Sequence, residues 1–379
     1  MGTYKYDGTL IPGTMYNATD YLIGANNADN TTFLQILIDK VNANGGGIIW
    51  FPVGTYNFGG TILARSNVSI VGENIEKTIF KKTTVGAYPL FSYTTGDKDT
   101  PITGCTYANF TVDEYDTGDT NSVRGKSFFY QYVKNCVFRD IILKGSIATA
   151  LGIDFLDNVV IDHVYCVDCG RTYTGSEQGT SGIGIGTGGW ENENFLITNC
   201  ICVGSGQYGI FIENQHTVFG NAGHVDYSKG CIISNCVVRN GLNHGIGIVG
   251  GQNVTVIGCE SYENAVDGFI IKQLCKNVKI TGCSAAENGA NGINMTQNAS
   301  SDHVAIRNNT CIDNAGNGIN VQASTSGLCI SDNYTDGNTA GLVFAAVTLT
   351  DAAVRNNCTI DGVTCSATFN GNTSYIDML

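Results

Sequence analysis

One phrase recurs along this 379-residue chain from about residue 135 to the carboxyl terminus. Each copy has a β-rich segment, a small or polar residue at a bend, and then a glycine followed by alternating apolar residues, as in Gly209-Ile-Phe-Ile and Gly245-Ile-Gly-Ile. When the copies are aligned, the bend residues fall in one column: Ile141, Val164, Cys200, Cys236, Cys259, Cys283, Asn309, Asn333 and Asn357. Their spacing is 23–26 residues, except for two consecutive intervals of 36.

A unit of this length has two or three short strands and no helical period, so it cannot bury its apolar face alone. Stacking the units about 4.8 Å apart buries a continuous core and pairs the backbone groups of neighbouring coils. We therefore predict an all-β fold, a parallel β-helix that is right-handed by the usual crossover preference. A leucine-rich repeat would need a helix in each unit, and a β-propeller would need longer blades of four strands.

The bend column also accounts for much of the cysteine, of which the chain has 15. Cys200, Cys236, Cys259 and Cys283 occupy it on four consecutive coils, where a thiol packs as a small apolar group. The asparagines that follow can form a hydrogen-bonded ladder. The alternative, a metal site, would need a second CxxC pair besides Cys166-Val-Asp-Cys169, and none is present. We predict core packing and assign no metal ligands.

The charge balance restricts the class of partner. The chain has 20 Lys and Arg against 33 Asp and Glu, a formal net charge of −13. Such a chain is poorly suited to bind nucleic acid or an anionic membrane surface through broad electrostatics. No apolar run reaches membrane-spanning length. We therefore expect neither nucleic acid nor membrane as a partner.

Residues 29–56 contain a helix followed by a strand. An apolar helix face is formed by Phe33, Leu34, Leu37, Ile38 and Val41. Asp29 or Asn30 can cap this helix, and Gly45 can end it in a left-handed conformation. A strand over residues 48–51 then stops at Pro52. We predict one domain, with residues 1–60 as an N-terminal cap and residues 61–379 as the coils.

This segment resembles the N-terminal cap of the pectate-lyase superfamily of β-helix proteins, in which a helix, a Gly-Gly-Gly strand and a Pro-x-Gly-x-Tyr turn cover the open end of the solenoid. Here the matching residues are Gly45-Gly-Gly47 and Pro52-Val-Gly-Thr-Tyr56. The resemblance implies a carbohydrate-active protein: a polysaccharide lyase, a glycoside hydrolase, a uronan epimerase or a phage tailspike. The Asp-Pro-His run of uronan epimerases is absent, since the matching stretch reads Asp154-Phe-Leu-Asp157. This disfavours the epimerase.

The extra residues of the two longer coils form two loops, at about 170–181 and 214–229. Because these coils are neighbours, the loops can wall the two sides of one groove, where binding residues concentrate. Harmless surface insertions are the alternative. The candidate substrate-binding residues are Arg171, Tyr173, Glu177, Phe211, His216, His224, Asp226 and Asn294. Phe211 is predicted to face outward, either stacking on a sugar or covered by a loop.

Two carboxylates point outward on this predicted face, Asp154 and Glu213, separated by two coils. With Gly184 making room between them, side-chain lean can bring the pair into the range of about 6.5–9.5 Å used by inverting glycosidases. Two solvated carboxylates in an acidic protein are the alternative.

A second candidate set lies just before the strand glycines. Tyr208, His244 and Asp267 are predicted on successive coils, and Lys272 shares the column of Glu213. Such a set can deprotonate a sugar carbon or protonate a leaving oxygen, as β-elimination requires. A polar turn column with structural hydrogen bonds is the alternative.

We therefore expect an enzyme that cleaves glycosidic bonds of a polysaccharide or oligosaccharide, with hydrolysis favoured over β-elimination because an acidic groove suits a polyuronate poorly. We expect that no cofactor is required, although bound Ca²⁺ is possible and would help the protein to bind a polyuronate for β-elimination. The rival is a non-catalytic glycan-binding or tail-fibre β-helix. The protein is expected to be a monomer or a homotrimer, and either secreted with its leader removed or part of a phage virion.

Overall fold

The computed structural model describes residues 3–4, 10–11, 14–84, 88–115, 125–175, 179–190, 193–215, 228–296 and 301–371. Within these ranges the chain is a solenoid of short parallel strands preceded by one α-helix. The elements of the first part are β1 (Thr3–Tyr4), β2 (Leu10–Ile11), β3 (Met15–Asn17), a 3-10 helix (Ala18–Tyr21), α1 (Thr31–Ala43), β4 (Gly47–Phe51), β5 (Gly54–Phe58), β6 (Ile62–Leu63), β7 (Val68–Gly72), β8 (Thr78–Lys82), β9 (Phe91–Tyr93), β10 (Ile102–Thr103) and β11 (Thr106–Asp113).

Two long strands, β12 (Phe128–Lys144) and β13 (Leu151–Val167), each bend around a whole coil. The strands that carry or adjoin the longer coils are β14 (Ser181–Thr187), β15 (Glu193–Thr198), β16 (Ile201–Val203), β17 (Tyr208–Asn214), β18 (Ser228–Ser234), β19 (Val237–Arg239), β20 (His244–Val249), β21 (Val254–Ile257), β22 (Glu260–Tyr262) and β23 (Phe269–Lys272).

The remaining strands continue with the basic coil length. They are β24 (Lys276–Thr281), β25 (Ser284–Ala286), β26 (Ile293–Met295), β27 (Ser301–Arg307), β28 (Thr310–Ile312), β29 (Asn317–Val321), β30 (Thr325–Ser326), β31 (Cys329–Ser331), β32 (Tyr334–Asp336), β33 (Ala340–Phe344), β34 (Thr348–Thr350), β35 (Ala353–Arg355), β36 (Cys358–Thr359), β37 (Val363–Cys365) and β38 (Thr368–Asn370).

Strands of successive coils pair in parallel and form three walls. One wall runs through β13, β14, β17, β20, β23, β26, β29 and β33 and carries the groove described below. A second runs through β15, β18, β21, β24 and β27, and a third through β16, β19, β22, β25 and β28. The predicted parallel β-helix is confirmed, including the direct pairing of the Gly182 and Gly209 strands.

The predicted bend column lies inside the solenoid. Its four cysteines are buried, and below them the Asn309 side chain donates to Asn333 Oδ1 at 3.0 Å, while Asn333 donates to Asn357 Oδ1 at 2.9 Å. All 15 cysteines lie in the described ranges and none forms a disulfide; 12 of them are buried. Each ladder asparagine therefore satisfies buried polar groups of the next coil, which apolar residues at the bend would leave unpaired.

Helix α1 covers the first coil as predicted, with one exception. Leu34, Leu37, Ile38 and Val41 are buried, but Phe33 is 37% exposed and lies at the edge of the apolar face. The cap of this helix comes from Asp29, whose Oδ1 accepts a hydrogen bond from the Thr31 amide at 2.8 Å. Within the described residues, no helix combines the length and the apolar content that crossing a membrane requires.

Candidate active site

The groove wall presents two outward-facing columns, which follow from strand pairing. On β17, Ile210 and Ile212 point into the core and are fully buried, whereas Phe211 and Glu213 face outward and are half-buried. One outward column consists of Phe129, Gly152, Gly184, Phe211, Gly247, Ile270 and Asn294. The other consists of Gln131, Asp154, Gly186, Glu213, Val249 and Lys272. Strand alternation therefore places both carboxylates in one column.

This register corrects the sequence alignment at one coil. In the sequence, Gly152-Ile-Asp-Phe matches the repeated phrase and predicts that Gly152 stands level with Gly182, but the strands pair Gly152 with Gly184, so Ala150 occupies the station of the strand glycine. The interval from the bend residue Ile141 is then nine residues, as in other coils. The consequence is that Asp154 pairs with Gly186, which pairs with Glu213, so Gly186 lies between the two carboxylates and the prediction of Gly184 there is wrong.

A groove opens over these columns. Asp154, Tyr208, Phe211, Glu213 and Lys272 line it, five of the residues singled out in the sequence. Further lining comes from Lys126, Thr149, Gly152, Gly179, Gly184, Ile185, Gly186, Gln207, Gln215, Val249 and Gln273. The floor beside the carboxylates is largely backbone, because Gly152, Gly184 and Gly186 carry no side chain.

Both carboxylates are held by side-chain amides. Gln131 Nε2 donates to Asp154 Oδ2 at 3.2 Å, and Gln215 Nε2 donates to Glu213 Oε2 at 3.0 Å. A Cβ built on Gly186 would collide with Asp154 Oδ1 and would lie 2.6 Å from Gln215 Cγ. The Asp154 carboxylate therefore leans over Gly186, toward the coil that carries Glu213.

Lys126, which the sequence reading missed, sits beside this pair. Its Nζ lies 4.0 Å from the ring centroid of Phe129, and a Cβ on Gly152 would come within 3.0 Å of it. The glycine at 152 thus makes room for the lysine. Lys126 stands two residues before β12, on a coil that lacks the strand glycine by which the other coils were recognised.

The electrostatics of the groove raise the pKa of both acids. For Asp154, burial raises the pKa, opposed by the nearby Lys126 charge and by hydrogen bonds from Gln131 and the Gly186 amide. For Glu213, burial and then the Asp154 charge raise the pKa. Burial lowers the pKa of Lys126, although both carboxylates oppose this shift. Each carboxyl group therefore holds a proton more readily than an exposed carboxyl group does.

Tyr208, His244 and Asp267 lie side by side. The Tyr208 ring stacks on Phe211, with centroids 4.3 Å apart, and on His244 at 5.4 Å. His244 Nδ1 lies 3.2 Å from Asp267 Oδ2, which also accepts a hydrogen bond from Asn294 at 3.0 Å. Tyr208 is only 3% exposed, and burial raises the pKa of its hydroxyl.

Hydrogen bonds decide the direction in which the pKa of Asp267 is shifted. Burial acts to raise the pKa of Asp267, but hydrogen bonds from His244, Asn294 and Asn291 outweigh it and hold the pKa below its usual value. His244, Asp267 and Asn294 stand next to the groove and are absent from the residues that line it. This constellation has the geometry of a buried polar network behind the groove.

The remaining predicted residues are placed differently. Arg171 Nε donates to the Gly145 carbonyl at 2.7 Å, at the end of β12 and away from the groove. The Tyr173 hydroxyl accepts from Asn243 Nδ2 at 2.5 Å, so it ties its loop to a neighbouring coil. Neither side chain lines the groove, because the direction of a loop is not set by the repeat period. Glu177, His216, His224 and Asp226 lie outside the described residues.

Among the described residues, no group of three or more His, Cys, Asp or Glu side chains is arranged to hold a metal ion.

Comparisons with known proteins agree with the fold. The mannuronan C-5 epimerase AlgE4 A-module of Azotobacter vinelandii is 14% identical, with a TM-score of 0.69 over 95% of this chain and 100% of that one. The Streptococcus pneumoniae surface protein and adhesin PfbA is 16% identical, with a TM-score of 0.60 over 96% and 99%. Tailspike protein gp49 of the Acinetobacter baumannii bacteriophage Fri1, a capsular polysaccharide depolymerase, is 14% identical, with a TM-score of 0.59 over 94% and 64%.

No curated protein sequence matches the chain. The family model of the right-handed β-helix region matches residues 181–375, which is more than half of the chain and includes strands β14 to β38. The chain therefore belongs to the right-handed β-helix family.

Proposed function

We propose that this protein hydrolyses glycosidic bonds of a polysaccharide in the groove, with Asp154 and Glu213 as the acid and base. The observation that carries the proposal is the single column Asp154–Gly186–Glu213. Two strand spacings separate the carboxylate-bearing backbones by about 9–10 Å. The lean of Asp154 over Gly186 shortens the gap between the carboxyl groups toward the range of an inverting pair, about 6.5–9.5 Å.

The two groups have environments that favour different roles. Burial raises the pKa of both carboxyl groups and the Lys126 charge opposes the rise in both, but Asp154 also accepts a hydrogen bond from the Gly186 amide, which favours its ionised form. Glu213 has its pKa raised by burial and by the charge of Asp154. We assign Glu213 as the general acid that protonates the leaving oxygen. Asp154 is then the base that activates a water on the opposite face of the sugar.

The structural neighbours support a glycan as the substrate class. They include a mannuronan epimerase, a capsular polysaccharide depolymerase and an adhesin. Lys126 and Lys272 balance the two carboxylates that line the groove, so a neutral or weakly charged polysaccharide fits better than a densely charged polyuronate. Since two of these neighbours are a surface protein and a tailspike, we propose that the protein meets its glycan outside a cytoplasm.

β-Elimination is the second candidate, favoured by one observation. Lys126 has its pKa lowered by burial, as a lysine that removes a proton from a sugar carbon needs, and Lys272 lies across the same groove. In that reaction a lysine would remove the proton, and neither Asp154 nor Glu213 would be the catalytic base.

The test is incubation with neutral and acidic polysaccharides, including bacterial surface glycans, with and without EDTA. New reducing ends and the ultraviolet absorbance of unsaturated uronates are read together. Reducing ends without absorbance, abolished by Glu213→Gln and Asp154→Asn and unaffected by EDTA, are the expected result. If reducing ends and ultraviolet absorbance appear together and Lys126→Met abolishes both, the reaction is β-elimination and the proposal of hydrolysis is wrong. Binding without any product would replace the enzyme with a glycan-binding protein.

A further inference from the structure

Three aromatic side chains that the sequence reading did not single out cluster at a corner of the solenoid. The rings of Tyr132 and Phe155 have centroids 4.7 Å apart, and those of Tyr132 and Trp190 are 5.7 Å apart at an angle of 73°. All three side chains are half-buried, so part of each ring stays accessible. Lys134 Nζ, paired with Asp157 at 2.6 Å, adds a polar edge 5.8 Å from the Trp190 ring.

This aromatic corner directly follows the column that contains Asp154 and Glu213. Phe155 follows Asp154 in the chain, and Tyr132 follows Gln131, the residue whose amide holds Asp154. A ligand that reaches past Asp154 across the wall therefore meets the aromatic rings next.

Two of the three aromatic residues have a left-handed backbone. Tyr132 has a φ of 58° and Phe155 a φ of 62°, a region in which a side chain crowds the carbonyl oxygen that follows it. The same station is left-handed at Gly250 and Gln273 on later coils, after Val249 and Lys272, but not at Thr187 and Asn214 on the two coils between. The left-handed turn therefore occurs on some coils only, and on the two coils of Gln131 and Asp154 it carries an aromatic side chain. Strained positions of this kind concentrate at functional sites.

The third ring is held in place by a dedicated turn. The buried Glu193 carboxylate accepts hydrogen bonds from the amides of Gly188, Gly189 and Trp190 at 2.7, 2.8 and 3.1 Å. A Cβ on Gly189 would collide with the Phe155 ring, so this glycine lets the turn close over that ring. The turn fixes the backbone of Trp190 against the other two aromatic residues.

We propose that Tyr132, Phe155 and Trp190 form a sugar-binding subsite, in which a pyranose ring adjacent to the cleaved bond packs its apolar face on the aromatic side chains. Aromatic rings bury large areas at little entropic cost, and Lys134 and Asp157 can bond the equatorial hydroxyls at the rim. This subsite rests on the proposed function, because its ligand is a unit of the same glycan.

The test uses the fluorescence of Trp190. The chain has two tryptophans, Trp50 and Trp190, so Trp50→Phe leaves a single reporter. This variant, combined with Glu213→Gln to prevent turnover, is titrated with fragments of xylan, mannan, dextran, polygalacturonate, alginate, and bacterial capsular and O-antigen polysaccharides. A saturable fluorescence change with one of these glycans is expected. Trp190→Leu removes the reporter, so its affinity is measured by isothermal titration calorimetry, and a roughly tenfold weaker affinity with an unchanged melting temperature is expected. Tyr334→Leu, on a distant coil, is the control and leaves affinity unchanged.

The outcomes separate the two proposals. If the wild-type protein cleaves a glycan whose binding leaves Trp190 fluorescence and the Trp190→Leu affinity unaltered, the subsite is wrong and the hydrolase stands. If Trp190 responds to a glycan that is not cleaved, the subsite stands and the hydrolase is wrong. If no glycan of the set is cleaved and none changes the fluorescence of Trp190, both proposals are wrong.

Discussion

Gly186→Ala isolates the geometry of the proposed acid and base without touching either carboxylate. Gly186 lies between Asp154 and Glu213, and its φ is outside the left-handed region, so alanine fits the backbone. The added methyl group collides with Asp154 Oδ1 and comes within 2.6 Å of Gln215 Cγ. Both neighbours are side-chain atoms and not backbone, so the side chains move and the strand stays.

We expect Gly186→Ala to lower the turnover rate. A displacement of the Asp154 carboxylate by about 1 Å reduces turnover by roughly a hundredfold, because a base acts only from near-attack geometry. Stability changes little, since the gain of about 0.5–1 kcal/mol for replacing a strand glycine offsets the strain of moving two side chains. The assay is the rate of reducing-end release, with thermal unfolding measured on the same samples.

Gly230→Ala is the matched control. Gly230 lies on β18, and nothing stands within 4 Å of the position its Cβ would take. This variant should keep full activity. A Gly186→Ala protein whose turnover stays within twofold of wild type would refute the reasoning, because the position of Asp154 would then not matter.

Three further predictions follow from the core and the groove. Asn333→Ala should lower the free energy of unfolding by about 3–4 kcal/mol in urea titrations, because four buried hydrogen bonds are lost, to Ile306, Asn309 (two) and Asn357; a loss under 1 kcal/mol would contradict the ladder. In the folded protein, a thiol reagent should rapidly label the two exposed cysteines, Cys358 and Cys365, and all 15 only after denaturation; fast labelling of the buried ladder would contradict the core. Glu213 has a raised pKa in the folded state, so its ionisation costs stability: the cost is absent well below pH 4 and grows as pH rises through its unfolded value of about 4.3. Glu213→Gln should therefore raise the melting temperature more at pH 8 than at pH 4, and an equal change at both would contradict the shift.

The sequence predicted the fold well because inward positions repeat the same chemistry on every coil. Cysteine or asparagine at the bend and isoleucine beside the strand glycine mark most coils, and the structure confirms the bend cysteines and these isoleucines as core. The sequence went wrong where a local match imitated the repeat. Gly152-Ile-Asp-Phe fits the template of a strand glycine, and only the backbone pairing shows that Ala150 holds that station.

The site was predictable only in part, for a related reason. Alternation along a strand fixes which side chains face the groove, so Asp154, Phe211 and Glu213 were found. Lys126 and Tyr132 stand on a coil without a strand glycine, and Trp190 stands on a turn whose path depends on Glu193. The repeat period of the coils therefore does not predict where Lys126, Tyr132 and Trp190 lie. The same holds for Arg171 and Tyr173, whose loop folds back onto the scaffold.

The most direct test of the central claim is mass spectrometry of the products that the wild-type protein and its Glu213→Gln variant release from a cleaved polysaccharide. Hydrolysis by the carboxylate pair predicts saturated oligosaccharides, with one water added for each bond cleaved, from the wild-type protein and none from the variant. Unsaturated fragments lacking that water, or saturated products formed equally fast by Glu213→Gln, would contradict the account.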